Sequence, residues 1–263
     1  MDLQLTGKRA LITGSTAGIG YAIAASLARE GAQVILNGRT QAGVDAALDN
    51  LLADTGVSGL GFAGDLGEPA VCTALAAAYP DLDILVNNLG IFDTQPFEDI
   101  PDADWLRFFE VNVMAGVRLA RAYLPAMRAR DWGRIVFISS ESAINIPAEM
   151  VHYGMTKTAQ LAVARGLAES LAGTGITVNS VLPGPTRSRG VAGFLEKMAA
   201  EARQPVADIE REFFTRARPS SLIRRFAEPA EVAAMVTYIV SPLASATTGA
   251  ALRVDGGIVR NPF

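Results

Sequence analysis

Tyr153 and Lys157 are the two residues whose types and spacing most directly suggest a chemical role. They lie four positions apart in a segment of helical character, so the phenol and the ammonium can face one site. A phenol can donate a proton to the alkoxide that forms when a carbonyl is reduced, and a phenolate can take the proton of an alcohol that is oxidised. A free phenol has a pKa of about 10, and lowering it by about three units requires about 4 kcal/mol of preferential stabilisation of the phenolate. The positive charge of Lys157 is one candidate source of that stabilisation.

A second pattern of chemical interest is the glycine-rich stretch Thr13–Gly20, called the glycine turn below. It follows a predicted strand and opens a predicted helix. Gly14 permits the sharp turn, Gly18 lets the backbone approach a pyrophosphate, and Gly20 lets the helix lie close to the strand. The unpaired N–H groups and the positive dipole end of the helix attract an anion. Glycines also occur in ordinary strand-to-helix turns, but the strand before and the helix after favour phosphate binding.

The elements that must position these residues follow from the hydrophobic pattern. Short apolar runs alternate with longer helical patterns from Arg9 to Val254. Such alternation is typical of a parallel sheet covered by helices on both faces. We therefore expect an α/β fold, namely a Rossmann-type doubly wound parallel sheet in a single domain over residues 1–263. Ligands bind beyond the carboxyl ends of the strands in such sheets.

The stretch 183–227 is the one irregular part of the pattern, and it follows the sixth predicted strand at that ligand-binding edge. Within it we predict that residues 187–225, called the lid segment below, form a mobile lid over the substrate. The lid segment carries nine basic and five acidic residues, a local charge of 9 − 5 = +4, which could steer an anionic substrate. Ordinary i,i+4 pairing, as in Glu212 and Arg216, is the alternative explanation of these charges. Its large apolar residues with helical spacing are Val191, Phe194, Leu195, Met198, Ile209 and Phe213.

Composition and charge argue against several other classes of protein. The net charge of −4 gives no support to nucleic-acid binding, which usually needs a basic face. With one cysteine, Cys72, and one histidine, His152, we expect no metal site of the ordinary zinc type. The stretch Met1–Arg9 lacks the apolar core of a signal peptide, and no run approaches the length of a membrane span. We therefore expect a cytoplasmic protein without membrane partners. The arginines expected to line a solvated helix face are Arg118, Arg121, Arg128, Arg130 and Arg134.

The spacing GxxxGxG of the glycine turn, together with four further motifs, resembles the short-chain dehydrogenase/reductase family over Thr13 to Gly257. The further motifs are Asp65-Leu66, Asn87-Asn88-Leu89-Gly90, Pro183-Gly184 and Val254-Asp255-Gly256-Gly257. Leu89 departs from the alanine usual in that family and adds bulk beside the cofactor. The resemblance implies an NAD(P) site in which Asp65 holds the adenine and Pro183-Gly184 flanks the nicotinamide. The predicted cofactor-binding residues are Gly14, Ser15, Gly18, Ile19, Gly20, Arg39, Asp65, Leu66, Asn88, Gly90, Tyr153, Lys157, Pro183, Gly184 and Thr186.

The same resemblance assigns Asn112, Ser140, Tyr153 and Lys157 to a catalytic tetrad. Ser140 lies at the end of the fifth predicted strand, thirteen residues before Tyr153, and can hydrogen-bond the substrate oxygen. The resemblance implies that Lys157 also binds the cofactor ribose. It further implies that Asn112 holds a water molecule that links Lys157 to solvent.

The end of the second predicted strand indicates a preference for NADP(H) over NAD(H). NAD-specific Rossmann sites usually place an acidic residue there to bind the ribose hydroxyls. This chain has Gly38 near that position and Arg39 after it. No carboxylate would repel a 2′-phosphate, and a guanidinium can pair with one.

We therefore expect an NADP-dependent oxidoreductase that moves a hydride between nicotinamide and a carbonyl or secondary alcohol, with a 3-oxoacyl thioester as the first candidate substrate. Sugar, polyol, steroid or xenobiotic carbonyl compounds remain alternatives, and a non-catalytic cofactor-binding regulator is a further one. The helix 152–172 carries only Lys157, Arg165 and Glu169 as charges, so it is expected to be buried on more than one side. The resemblance pairs this helix across a two-fold axis, which implies a homotetramer or dimer.

Overall fold

The computed structural model of the protein describes residues 1–262, with the side chains of residues 189, 190, 194, 197 and 201 left out. Within this range seven parallel strands form one sheet in the order β3-β2-β1-β4-β5-β6-β7. Strands β2 and β3 extend the sheet on one side of β1, and strands β4 to β7 extend it on the other side. The prediction of a Rossmann-type doubly wound parallel sheet is confirmed. The strands are β1 (Arg9–Ile12), β2 (Gln33–Gly38), β3 (Leu60–Ala63), β4 (Ile84–Asn87), β5 (Gly133–Ile138), β6 (Ile176–Pro183) and β7 (Ala251–Val254).

Helices cover both faces of this sheet. The pairing of α1 with α9 covers one face, and α3, α5 and α6 cover the other. No helix within residues 1–262 is long and apolar enough to cross a membrane. The helices are α1 (Gly18–Arg29), α2 (Gln41–Thr55), α3 (Pro69–Ala78), α4 (Asp102–Phe109), α5 (Ala115–Arg130), α6 (Val151–Glu169), α7 (Arg189–Ala202), α8 (Val206–Glu212) and α9 (Pro229–Ile239).

The hydrophobic core forms two layers because successive side chains of a strand point to opposite faces. In β1, Ala10 and Ile12 join the layer that contains Ile23 of α1, whereas Leu11 joins the layer that contains Leu119 of α5. Both layers are fully shielded from solvent at these positions. The sheet is therefore a well-packed platform, and the segments that line the site extend from its carboxyl edge.

The apolar pattern of residues 102–129 predicts one long helix, but in the structure a π-helical turn at Glu110–Met114 separates α4 from α5. A π-turn widens the helix by one residue and commonly marks a functional position. Here it contains Asn112, whose backbone oxygen accepts a hydrogen bond from Nε2 of Gln160 at 2.6 Å. The turn therefore directs Asn112 toward α6.

Arg134 is not part of a solvated helix face, so that prediction is wrong for this residue. It lies in β5, is 2% exposed, and donates from Nη1 to the oxygens of Gly133 and Gly175 at 2.9 Å each. Its guanidinium also stacks on the ring of Trp132, 4.6 Å from the centroid. Sequence proximity to the other arginines was misleading because the chain leaves α5 and enters the sheet between them.

Candidate active site

A cleft of about 320 Å³ opens at the carboxyl edge of the sheet. Segments that follow four different strands line it: the glycine turn after β1 and the loops after β4, β5 and β6. The β1 and β4 segments lie where the order of strands reverses, which is the usual ligand site in such sheets. The predicted site residues that line the cleft are Ile19, Asn88, Gly90, Ser140, Tyr153, Lys157, Pro183, Gly184 and Thr186.

The glycine turn is held by Asn88 from the loop after β4. Its amide nitrogen donates to the backbone oxygens of Thr13 and Gly14 at 2.9 and 3.0 Å. A Cβ atom on Gly20 would lie 2.5 Å from that nitrogen and 2.6 Å from the Gly14 oxygen, which is closer than real Cβ atoms come. Gly18 has a φ of +60°, a left-handed conformation that favours glycine. The N-terminus of α1 is thereby brought to the cleft with its N–H groups available for a phosphate.

The predicted cofactor-binding residues that do not line the cleft are Gly14, Ser15, Gly18, Gly20, Arg39, Asp65 and Leu66. Among them, Ser15 has a side chain that is turned into the protein. It is 0% exposed, its Oγ donates to the Ile12 oxygen at 2.7 Å, and its N–H donates to the Asn37 oxygen at 2.8 Å. Its Oγ also accepts from the Asn37 N–H at 2.9 Å. Ser15 therefore braces the turn against β2, and these contacts leave its side chain unable to reach a phosphate.

The end of β2 is sterically closed to a larger side chain. A Cβ atom on Gly38 would lie 2.4 Å from Cγ2 of Thr16 in the glycine turn. Arg39, the next residue, is exposed. The position at which NAD-specific sites carry an acidic residue therefore has no room for one unless Thr16 moves, and the residue that follows it is the exposed Arg39.

Asp65 and Leu66 follow β3 and differ in what they can offer a ligand. Asp65 is exposed, and its Oδ1 accepts from the Gly67 N–H at 2.9 Å. Leu66 is 1% exposed and packs in the core layer with Leu75. A contact from Leu66 to a cofactor could come only from its backbone.

Tyr153 and Lys157 lie on α6 and face the cleft together with Ser140, which follows β5. The Ser140 hydroxyl lies beside the Tyr153 phenol, and its proximity lowers the pKa of that phenol. Lys157 is 4% exposed, lies 5.6 Å from the centroid of the Tyr153 ring, and donates from Nζ to the Ile138 oxygen at 2.9 Å. The Ser139 hydroxyl donates to the Lys157 oxygen at 2.9 Å, which ties α6 to the end of β5. The arrangement therefore holds a phenol, a hydroxyl and an amine around one point.

Asn112, the fourth predicted catalytic residue, is 2% exposed and braces the loop after β4. Its Oδ1 accepts from the Ile91 N–H at 2.8 Å, and its Nδ2 donates to the Ile91 oxygen at 3.0 Å. Nδ2 also donates to the Thr156 hydroxyl at 3.0 Å. A Cβ atom on Gly90 would lie 3.3 Å from Nζ of Lys157 and 3.5 Å from Oδ1 of Asn112. Gly90 thus lies between these two groups.

Burial shifts the pKa values of the two central groups in opposite directions. It raises the pKa of Tyr153 to about 12, which the hydrogen bond from Ser140 partly offsets. It lowers the pKa of Lys157 to about 7. Each shift favours the uncharged form of a buried group. The chain's own groups therefore keep Tyr153 protonated at neutral pH, rather than lowering its pKa toward 7 as oxidation of an alcohol would require.

Four charged residues that sequence reasoning did not assign to the site also line the cleft: Asp93, Glu141, Glu149 and Arg218. Nε of Arg218, at the end of the π-helical turn Phe213–Ala217, donates to Oε1 of Glu141 at 2.9 Å. The side chains of these two residues are 11% and 3% exposed. The sequence did contain a signal that could have identified Glu141 as a site residue. It is a charged residue that directly follows Ser140, shortly after the fully buried strand β5.

The lid segment, together with Phe226 directly after it, forms the other wall of the cleft with an aromatic cluster. Phe213, Phe214 and Phe226 have ring centroids 5.0–5.1 Å apart, and Phe213 and Phe226 line the cleft. Leu195 of α7 and Ile209 of α8 pack against this cluster. The predicted contributions of Arg189, Phe194, Lys197 and Glu201 lie outside the described residues.

Many of the lid segment's arginines are paired with carboxylates, which weakens the predicted positive field. Arg187 binds Glu210 at 2.7 Å, and Arg225 binds Glu231 at 2.7 Å. The spacing of Glu212 and Arg216 does produce an ion pair, at 3.6 Å. Further pairs are Arg211 with Asp208 and Arg218 with Glu141. Ordinary pairing therefore accounts for most of the charge that the sequence concentrated there.

Comparison with known proteins agrees with this geometry. Residues 14–259 match the profile of a family described as enoyl-(acyl carrier protein) reductase. The chain is 50% identical over 264 residues to the uncharacterized oxidoreductase YvaG of Bacillus subtilis (strain 168), covering 100% of both sequences. It is 32% identical to the 3-oxoacyl-[acyl-carrier-protein] reductase FabG of Aquifex aeolicus (strain VF5), covering 98% of this chain and 100% of that one.

Among solved structures, L-sorbose reductase from Gluconobacter frateurii, complexed with NADPH and L-sorbose, superposes with a TM-score of 0.93. It is 31% identical in sequence, and the match covers 99% of this chain and 100% of that one. The match over nearly the whole length, the sheet order and the cleft that gathers Ser140, Tyr153 and Lys157 agree with one another. The chain belongs to the short-chain dehydrogenase/reductase family of oxidoreductases.

Proposed function

We propose that this protein is an NADPH-dependent carbonyl reductase that can also oxidise the corresponding secondary alcohol. The observation that carries the proposal is the single cleft in which Tyr153, Ser140 and Lys157 meet beside the glycine turn. A non-catalytic regulator would have no need for a buried, protonated phenol next to a hydroxyl and an amine. The Gly20 contacts and the free N-terminus of α1 form a cradle that fits a dinucleotide pyrophosphate.

The chain's own groups provide positioning and proton transfer in this reaction. The nicotinamide supplies the hydride when it is bound. Ser140 donates a hydrogen bond to the carbonyl oxygen and stabilises the charge that develops there. The Tyr153 hydroxyl gives its proton to the same oxygen as the alkoxide forms. Lys157, whose Nζ lies next to Gly90, would hold the cofactor ribose, and Asn112 keeps the loop that carries Gly90 in place.

The direction we propose as favoured is reduction. A pKa of about 12 keeps the Tyr153 phenol protonated at neutral pH, which is the form that reduction needs. Oxidation needs the phenolate, so its rate is expected to rise with pH up to that value, by about tenfold per pH unit while Tyr153 remains the group that titrates. Lys157, with a pKa of about 7, can exchange protons with water near neutral pH, and it would act as the source from which Tyr153 regains its proton.

The preference for NADPH over NADH rests on Gly38 and Arg39. Thr16 closes the space that an acidic side chain at Gly38 would occupy, and Arg39 is exposed beside it. The L-sorbose reductase that superposes on this chain was solved with NADPH. A 2′-phosphate paired with Arg39 is the arrangement we propose.

For the substrate, a 3-oxoacyl thioester and a sugar-like ketone are the two classes that the relatives suggest. The paired arginines of the lid segment leave little positive field for a thioester carrying phosphates. Asp93, Glu141 and Glu149 place carboxylates in the wall of the cleft, against which Arg218 and Lys157 are the cationic groups. A neutral carbonyl compound is therefore the class that the cleft favours.

We also propose that the protein is a homo-oligomer. Leu106 and Phe109 of α4 are 71% and 38% exposed, an apolar surface that a second copy can cover. The exposed face of α6, on which Thr158 and Ala162 lie, carries few charges. Light scattering at micromolar concentration is expected to give a dimer or tetramer, and a monomer would contradict the proposal.

The test of the activity is a screen of carbonyl compounds and alcohols with each cofactor, followed by Tyr153→Phe. This substitution removes only the phenol oxygen, so we expect turnover to fall at least about a thousandfold while NADPH affinity stays within about twofold. Lys157→Ala is expected to harm both turnover and NADPH affinity. Tyr238→Phe, at an exposed tyrosine outside the cleft, is the matched control. Near-normal turnover of purified Tyr153→Phe would refute the proposed mechanism.

A further inference from the structure

The Glu141 carboxylate is engaged by the protein and is shielded from a ligand in the cleft. The side chain is 3% exposed, its Oε1 accepts from Nε of Arg218 at 2.9 Å, and its Oε2 is closed to solvent. A buried carboxylate is unfavourable unless a partner compensates its charge, and Arg218 is that partner here. Burial accordingly raises the pKa of Glu141, while the charge and the hydrogen bond of Arg218 lower it. Glu141 therefore affects the reaction through the groups that it holds rather than by contact with a substrate.

Glu141 opens the short 3-10 turn Glu141–Ala143, called the serine turn below, which sets the direction of the Ser140 side chain. Ser140 directly precedes this turn, and its Oγ accepts from the Ser142 N–H at 3.1 Å. A hydroxyl group has one proton to donate and two lone pairs. The contact with Ser142 therefore uses a lone pair and leaves the Ser140 proton for the substrate's carbonyl oxygen. The direction of that hydroxyl depends on where the serine turn lies.

Two side chains from different parts of the fold hold the serine turn. The Thr158 hydroxyl donates to the Ala143 oxygen at 2.8 Å, and Nε of Arg218 donates to Oε1 of Glu141 at 2.9 Å. Thr158 lies on α6, the helix that also carries Tyr153. Arg218 belongs to the lid segment. One anchor of the turn is therefore fixed in the catalytic helix, and the other is supplied by the segment that we expect to close over the substrate.

Arg218 is in turn tied to the aromatic cluster of the lid segment. Its N–H donates to the Phe213 oxygen at 2.8 Å, and its guanidinium carbon lies 5.8 Å from the centroid of the Phe213 ring. Phe213 stacks on Phe226 with ring centroids 5.1 Å apart. A displacement of this aromatic wall therefore displaces Arg218 and the carboxylate that it holds.

We propose that Glu141 is a positioning residue that, through Arg218, makes the direction of the Ser140 hydroxyl depend on the position of the lid segment. With the lid segment in place, the ion pair holds the serine turn and Ser140 faces the carbonyl oxygen. With the lid segment displaced, the turn loses one of its two anchors, and Ser140 no longer stabilises the developing charge. Hydride transfer is thereby confined to the closed cleft, from which water is excluded. This inference rests on the proposed function and adds to it how the lid segment controls the reaction.

The first test measures the single-turnover rate of NADPH oxidation at saturating ketone, which reports hydride transfer without product release. The probe is the ketone that is reduced fastest in a screen that includes ethyl 3-oxobutanoate and hydroxyacetone. Glu141→Leu removes the anchor, so this rate is expected to fall at least about tenfold, while the KM of the ketone and the affinity for NADPH stay within about threefold. Glu141→Gln keeps the shape and one acceptor oxygen, so a smaller loss of rate is expected, and it serves if the leucine variant does not fold.

The same substitutions in a Ser140→Ala background separate positioning from a structural role. The hydroxyl that Glu141 is proposed to position is missing there, so Glu141→Leu and Arg218→Leu are each expected to cost less than about twofold. A merely structural role, or a direct contact of Arg218 with the substrate, would cost the same factor with and without the Ser140 hydroxyl. Equal factors in the two backgrounds would overturn the inference.

Arg225→Gln is the matched control, because it breaks another ion pair of the lid segment. Arg225 binds Glu231 at 2.7 Å, and neither residue lines the cleft. The single-turnover rate of this variant is expected to stay within about twofold of wild type. A loss as large as that of Glu141→Leu would show that any loosening of the lid segment slows the reaction, and it would refute the specific role of Glu141.

Hydrogen exchange of the ligand-free protein tests the anchor without any turnover, and so distinguishes this inference from the proposed function. The N–H groups of Ser142, Ile144 and Asn145 are hydrogen-bonded to Ser140 and Glu141. We expect these amides to exchange at least about tenfold faster in Glu141→Leu and Arg218→Leu, and at the wild-type rate in Arg225→Gln. If no ketone is reduced with NADPH, the proposed function fails whatever the exchange rates. If exchange is unchanged in both leucine variants, the anchor is refuted even where ketones are reduced.

Discussion

On the cofactor side of the cleft, the Asn88 side-chain amide is packed against Gly20 and the Gly14 backbone oxygen, whereas on the substrate side Arg218 and Glu141 meet through two long side chains. The first contact leaves no room for even one additional carbon atom at Gly20. The second joins residues 77 positions apart and can change if either side chain changes. The comparison indicates that the cofactor side is fixed by the fold, while the substrate side can be altered by a few substitutions.

The largest effect is expected from Gly20→Ala, which tests the rigidity of the cofactor side. The added Cβ meets Asn88 and the Gly14 oxygen, so the glycine turn must shift away from the N-terminus of α1. We expect NADPH to bind at least about a hundredfold more weakly and the free energy of unfolding to fall by about 1–3 kcal/mol. Fluorescence titration and denaturant unfolding measure the two quantities.

Gly166→Ala is the matched control for this substitution. Gly166 lies in α6, and a Cβ there meets nothing within 4 Å. Alanine in a helix interior is favoured over glycine by about 1 kcal/mol, so we expect unchanged NADPH affinity and equal or greater stability. If Gly20→Ala behaves like Gly166→Ala, the cofactor side is not rigid, and the comparison above fails.

A smaller change on the same side is expected from Arg39→Asp. The exposed guanidinium is replaced by a carboxylate that repels a 2′-phosphate and can accept from ribose hydroxyls. The ratio of kcat/KM for NADPH to that for NADH is expected to fall by about tenfold to a hundredfold, so that NADH becomes the preferred cofactor. Arg29→Asp, at an exposed arginine that lies on α1 rather than after β2, should leave the ratio unchanged. Equal use of the two cofactors by the wild-type protein would already contradict the assignment of Arg39.

The smallest effect is expected from loosening the lid segment with Phe214→Ala. Phe214 is 6% exposed and packs between Phe213 and Phe226, so its loss weakens the wall of the cleft without reaching the glycine turn. We expect KM for the carbonyl substrate to rise by about three- to tenfold and NADPH affinity to stay within twofold. A parallel loss of NADPH affinity would show that the two sides are not independent.

Hydrogen exchange provides a second view of the same difference. With NADPH and substrate both bound, amides of residues 187–225 are expected to exchange more slowly, and the effect should be smaller in Phe214→Ala. Amides of β1 and β4 should change little, because they are buried in the sheet in every state. Unchanged protection of residues 187–225 on binding would argue that the segment is a fixed wall rather than a lid.

Local pattern was sufficient to predict the sheet and the general place of the site. Buried runs such as β4 and helical runs such as α1 differ in period, and their alternation permits few arrangements other than a doubly wound sheet. The carboxyl edge follows from that topology, which is why Ser140 and Tyr153, although they come from different elements, could be expected in one cleft.

The sequence pattern was not sufficient to predict features that depend on one extra residue in a helical turn or on the direction of a single side chain. The π-turn at Glu110–Met114 leaves the apolar period nearly unchanged, so the sequence could not distinguish it from continuous helix. Ser15 sits in the glycine turn like its neighbours, yet its side chain points inward because Asn37 of β2 offers a partner there. Burial likewise raised the Tyr153 pKa to about 12, which a count of nearby charges did not anticipate.

The sequence by itself therefore determined what depends on neighbours along the chain: the alternation of strands and helices, the glycine turn, and the four-residue spacing of Tyr153 and Lys157 on α6. The tertiary structure alone decided what depends on partners far apart in the chain. Arg218 looked like one of many charges in the lid segment, and only packing brought it to Glu141 beside Ser140. The physical reason is that period and spacing are local properties, whereas burial and the satisfaction of a buried charge depend on every segment that surrounds it.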